Sequence, residues 1–137
     1  MVRTTLGLLL LCAVPAAADE LPVVILQKAA YAFERVERST RFPEDLAFDA
    51  MKRPPDAPDG QEYVVLRFNR LHPVDGEAPT EMDSILTGDD GVVHGKVHST
   101  TRCLDGRCWA GLTFLVPDQG QPYRWTWDDV VIDVPAP

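Results

Sequence analysis

The sequence predicts an all-β fold, an antiparallel sandwich of about seven strands with one disulfide. Three observations carry that expectation. Short segments rich in Val, Phe, Tyr and Trp recur between clusters of Gly, Pro and Asp. The clearest of them alternates its side chains with period two. Two cysteines flank an Asp-Gly pair, the strongest short hairpin signal available.

The turns divide the chain. Pro54 to Gly60, His72 to Gly76, Gly88 to Gly91, Asp105-Gly106 and Pro117 to Pro122 join residues of fixed or positive φ to side chains that bond back to the main chain. Between them, Glu62 to Leu71 puts Val64, Leu66 and Phe68 on one face and Val65, Arg67 and Asn69 on the other, as a central strand does. Ile85 to Thr87, Val92 to Arg102, Arg107 to Val116 and Tyr123 to Val134 read as further strands. In the last, the apolar parity changes at Asp128-Asp129, which calls for a β-bulge or a short break. Near the start, Val23 to about Phe33 reads as one strand, although Lys28 to Arg38 is also rich in helix formers. Leu46 to Met51 adds a short edge strand.

If Asp105 and Gly106 form a two-residue turn, residues pair when their numbers sum to 211. Cys103 then faces Cys108 in a non-hydrogen-bonded pair, with Cα atoms about 4.5 Å apart, which a disulfide can bridge. The register puts Val97, Ser99, Thr101 and Cys103 on one face with Cys108, Ala110, Leu112, Phe114 and Val116, and that face should point inward. The other carries His94, Lys96, His98, Thr100 and Arg102 against Trp109, Thr113 and Leu115, a solvent-facing set in which Arg102 lies over Trp109. The bridge reads as structural, since thioredoxin-like redox pairs have two intervening residues and this one has four.

The ends and the charge bound the setting. Arg3, the apolar run Leu6 to Val14 and Ala16-Ala17-Ala18 read as an export signal cleaved before Asp19, and Cys12 leaves with it. The run is too short to cross a bilayer, which takes roughly 20 apolar residues. The signal is then residues 1–18 and the domain 19–137. Only Arg3 is charged in the signal, so the formal charge passes from −8 to −9 on cleavage. Such a surface repels phosphate backbones and anionic membranes, which argues against nucleic acid as a partner.

The order of features resembles a known type. Tyr31-Ala32-Phe33, then Gly60-Gln61-Glu62-Tyr63-Val64-Val65-Leu66-Arg67-Phe68, Asp89-Asp90-Gly91 and Phe114-Leu115-Val116-Pro117 before a final hydrophobic strand are similar to bacterial secreted immunoglobulin-like domains of unknown function. Those domains are related to the mycobacterial immunoprotective extracellular protein. The resemblance implies an immunoglobulin-like sandwich in the periplasm or outside the cell, and it brings no catalytic residues or cofactor.

Candidate sites are few. Arg102, Trp109, His94 and His98 form the candidate binding surface. His72, His94 and His98 with Met51 and Met82 are the soft ligands a copper site would use. However, His94 and His98 would stand roughly 13 Å apart along a strand. Asp89-Asp90, Asp128-Asp129 and Asp133 lack calcium-loop spacing, and Ser39, Ser84 and Ser99 lack a nucleophile-elbow pattern. Tyr123, Trp125 and Trp127 either form a binding stripe or fill the core. The expectation is an exported, non-catalytic binding domain for a protein or cell-envelope component, with a periplasmic copper-binding protein as the alternative.

Overall fold

The computed structural model describes residues 22–26, 28–47, 53–73 and 83–137, with main chain only at residues 72 and 73. The proposed export signal, Met51 and Met82 lie outside the described residues. In order come β1 (Val23–Leu26), β2 (Ala29–Ser39), a 3-10 turn (Glu44–Leu46), β3 (Gln61–Pro73), β4 (Ile85–Gly88), β5 (Val93–Gly95), β6 (His98–Leu104), β7 (Arg107–Pro117), β8 (Tyr123–Trp127) and β9 (Val130–Val134). They form two antiparallel sheets, β1-β2-β3-β7-β6 and β9-β8-β4-β5, so the all-β sandwich expected from the sequence is what the chain forms. Among the described residues no helix is long and apolar enough to cross a membrane.

The core lies where the inner faces meet. Val64, Leu66 and Phe68 of β3 and Ala110, Leu112, Phe114 and Val116 of β7 pack against Leu86, Tyr123, Trp125, Ile132 and Val134 of the smaller sheet. Phe68 meets Trp125 across the layers, ring centres 6.1 Å apart. Each of the Val, Leu, Ile and Phe side chains contributes about 1.5–3 kcal/mol by leaving water. Tyr123 and Trp125 are therefore core residues, and Trp127 packs at the margin.

Arg38 closes one end of this core. Its guanidinium holds both oxygens of the buried Glu62 carboxylate at 3.2 and 2.8 Å. It also donates to the carbonyls of Gln121 (2.8 Å) and Pro135 (2.9 Å) and lies 5.3 Å from the centre of the Tyr123 ring. One side chain thus ties two strands of the larger sheet to both ends of the β8–β9 hairpin.

The hairpin built on Asp105 and Gly106 has the expected register. Both residues take positive φ, 54° and 78°, as a primed turn requires. Pairs from Leu104–Arg107 to His98–Thr113 follow, and Cys103 is bonded to Cys108 with Cα atoms 4.1 Å apart.

Elsewhere the chain reverses more often than the sequence reading supposed, giving nine strands among the described residues. Val23 to Phe33 is two strands: Leu26 pairs with Ala29, Lys28 sits at φ 62°, and β2 continues to Ser39 with no helix. The parity change at Asp128-Asp129 is neither bulge nor break but a full reversal, with Val130 pairing back onto Trp127 and Asp128 at φ 53°. Val92 to Arg102 is split: β5 ends at Gly95 in one sheet and β6 begins at His98 in the other. Leu46, where an edge strand was expected to begin, ends the 3-10 turn, and residues 48–51 lie outside the described residues.

Candidate binding cleft on the covered sheet face

The outer face of the five-stranded sheet is the second place where apolar residues are buried. Tyr63 and Val65 of β3 point away from the main core, yet both are buried. They form a small cluster with Phe42, Leu46 and Ala47, flanked by Ala57, Trp109 and Leu115. Residues 40–47 thus lie over the sheet as a cover. Phe42 sets its ring edge-on to Tyr63 (5.7 Å) and His98 (5.1 Å). Leu46 fills the hollow above Gly111, where any Cβ would overlap its methyl groups. The second stretch of the cover, from Arg53 onward, is held by Ala57 N–H donating to the Thr40 carbonyl (2.7 Å) and Tyr63 O–H donating to the Pro55 carbonyl (2.7 Å).

Polar clamps fix the cover. Arg67, buried on β3, donates to both oxygens of Asp45 at 2.6 and 2.8 Å and to Glu37 Oε1 at 2.8 Å. The hydrogen bonds from Arg67 outweigh partial burial and hold the Asp45 carboxyl below the usual carboxylate range, while the same bonds raise the Arg67 pKa. Arg102 donates to the Ala47 carbonyl, and Trp109 Nε1–H donates to the Asp45 carbonyl at 3.2 Å.

This arrangement corrects the expected solvent-facing set. Thr100 and Thr113 are buried, and His98, Arg102 and Trp109 all touch the cover. Arg102 does not lie over Trp109; Arg107 does, its guanidinium carbon 5.7 Å from the ring centre. The inward set is correct for Ala110, Leu112, Phe114 and Val116, whereas Val97, just before edge strand β6, and Ser99 and Cys103 on it are exposed. His94 stands apart in the other sheet, against Tyr123 at 6.0 Å. The structure therefore sets Arg102 and Trp109 side by side, places His98 farther along the same covered face and leaves His94 elsewhere; His72 lies on β3 opposite Ala30. Among the described residues no three His, Cys, Asp or Glu side chains converge to hold a metal ion.

Beside the cover the sheet face opens into a cleft of about 120 Å³, lined by Glu34, Arg35, Asp45, Arg67, Asn69, Arg107 and Trp109. Strand pairing sets their places, with Arg35 beside Arg67 and Asn69 beside Trp109. The three arginines differ in occupation. Arg35 is paired with Glu34 (2.8 Å) and Glu37 (3.0 Å), and Arg67 with Glu37 and Asp45. Arg107 makes no ion pair among the described residues and rests on Trp109. A wider, shallower depression of about 790 Å³ lies on the other side of the Arg67–Asp45 clamp, but its arginines, Arg38, Arg41 and Arg67, already face Glu62, Glu44, Asp56, Glu37 and Asp45. Sequence reasoning identified Trp109 but missed Arg107, Asn69 and the cover. The available signal was the apolar run Tyr63-Val64-Val65-Leu66, which marks a strand buried on both faces.

Comparison with protein-family models, curated proteins and solved structures finds no match for this chain.

Proposed function

We propose that this chain is an exported, non-catalytic binding module, an immunoglobulin-like domain akin to the secreted domains it resembles. It engages another protein or a cell-envelope component through the outer face of its five-stranded sheet. The observation that carries this reading is the cleft beside the cover. There an arginine with no acid partner among the described residues lies on a tryptophan, on three hydrogen-bonded strands beside the cover. Rigid sheet residues suit recognition because little conformational entropy is lost on binding. The export signal ending at Ala18 supports a periplasmic or extracellular site of action.

The test is site-specific photocrosslinking in the exporting cell, with the crosslinker at Leu104, the exposed cross-strand neighbour of Arg107, in one preparation and at Val131 on the opposite sheet in another. A discrete adduct from position 104 alone is the expected result. Adducts from Val131 alone, or turnover of a substrate by the purified chain, would overturn the reading. Mass spectrometry of the recovered chain checks export separately, with Asp19 expected at its N-terminus.

A further inference from the structure

We infer that the cleft captures a single carboxylate presented by the partner, with Arg107 as its principal ligand and Asn69 as a second donor; this rests on the binding-module reading above.

The argument starts from unequal occupation. Arg35 and Arg67 each answer two carboxylates of this chain, so their charges are spent inside the fold. Arg107 has none among the described residues, although Glu34 and Asp45 line the same cleft. Resting on the indole keeps its planar fork ordered and partly out of water, the condition in which an arginine binds a carboxylate through two parallel hydrogen bonds. Asn69 pairs with Trp109 on the neighbouring strand, and its half-buried amide has no side-chain hydrogen bond among the described residues.

The surroundings select among ligands. A sugar ring would need an open aromatic face, but Arg107 lies over the Trp109 ring, which otherwise packs beside the cover cluster. A phosphate would bring nearly two charges to a chain of net charge −8 and set them beside Glu34 and Asp45. A single carboxylate matches the one arginine of the cleft that has no ion pair among the described residues.

The test is titration of the isotope-labelled full chain with four probes, following the Trp109 indole N–H and the Arg107 Nε–H by NMR. The probes are the peptide Ac-Gly-Glu-Gly-NH2, its Gln analogue, Ac-Gly-Gly-Gly with a free C-terminus, and inorganic phosphate. Saturable shifts are expected with the first or third peptide at about millimolar affinity, which corresponds to roughly −4 kcal/mol. Which of them saturates tells a side-chain from a terminal carboxylate. Arg107→Gln should weaken binding about tenfold, as loss of a charge-assisted pair implies. Asn69→Ala should weaken it less, and Arg124→Gln on the other sheet should change nothing. Arg107 is exposed, so its variant keeps the fold, checked by an unchanged amide spectrum. Equal response to the Gln peptide, tighter binding of phosphate, no saturable shift, or indifference to Arg107→Gln would each overturn the inference. A position-104 crosslink that survives such a failure would leave the binding-module reading standing with another ligand.

Discussion

The two outer faces of this sandwich each carry an arginine–aspartate pair, in very different surroundings. On the five-stranded sheet Arg67 clamps Asp45, with the arginine side chain 8% exposed beneath the cover. On the four-stranded sheet Arg124 meets Asp133 at 3.1 Å with both side chains mostly in water, 63% and 76% exposed. Around that second pair Val93 and Val131 are more than half exposed. The same two residue types thus do different work. Under the cover they fix a loop onto the sheet, whereas on the open sheet they decorate a surface.

The largest effect should come from the hydrophobic anchor of the cover. Leu46→Ala removes a fully buried side chain and is expected to cost about 2–5 kcal/mol in denaturant unfolding. Gly111→Ala alone, which forces a methyl group into Leu46, should cost about 1–3 kcal/mol. Their combination should cost clearly less than the sum, because the smaller residue at 46 makes room for the added Cβ. Simple additivity would show that the two residues do not share the hollow.

Next comes Arg67→Gln, expected to cost about 2–3 kcal/mol, below the 3–5 kcal/mol typical of a broken buried pair because Asp45 is half exposed and can rehydrate. Its pH signature has a definite sign. The folded pKa of Asp45 is depressed, first by the Arg67 hydrogen bonds, so the clamp's contribution is complete above the ordinary aspartate value of about 3.9 and fades as pH falls through the lower folded value. Asp45→Asn should therefore flatten the acid limb of stability against pH, and an unchanged limb would contradict the clamp.

Replacing both bonded cysteines by serine should cost about 2 kcal/mol, since the loop closed is short. The loss should be confined to the hairpin end, read as faster amide exchange around Leu104 and Arg107 with the β3 amides still protected.

How far the sequence foretold this comparison follows from what each feature writes into it. The Asp105-Gly106 register was readable because both residues favour the left-handed conformation they adopt, and Val64, Leu66 and Phe68 announced their face by alternation. The turn at Lys28 was not, because a lysine at φ 62° leaves no compositional mark and only the pairing of Leu26 with Ala29 reveals it. The cover was hidden for another reason. Phe42 stands alone between charged and turn residues, Leu46 reads as the start of an edge strand, and the burial of both depends on Tyr63 and Gly111, remote in the chain. Arg107 escaped notice because the pairing put Arg102 opposite Trp109, and only the cover, by claiming Arg102 through the Ala47 carbonyl, leaves the ring to Arg107.

The smallest expected effect is the sharpest check on the contrast. Arg124→Gln breaks an ion pair of good length, yet both partners are solvated before and after, so the attraction is screened and its loss is offset by regained side-chain freedom. The cost should stay under about 0.5 kcal/mol and shrink further in added salt. The Arg67→Gln penalty should be far less salt-sensitive, because the arginine it removes is buried under the cover. If the two substitutions cost the same, the cover would not be excluding water from the Arg67–Asp45 pair. The rigidity ascribed to the face beside it would then have to come from the strands alone.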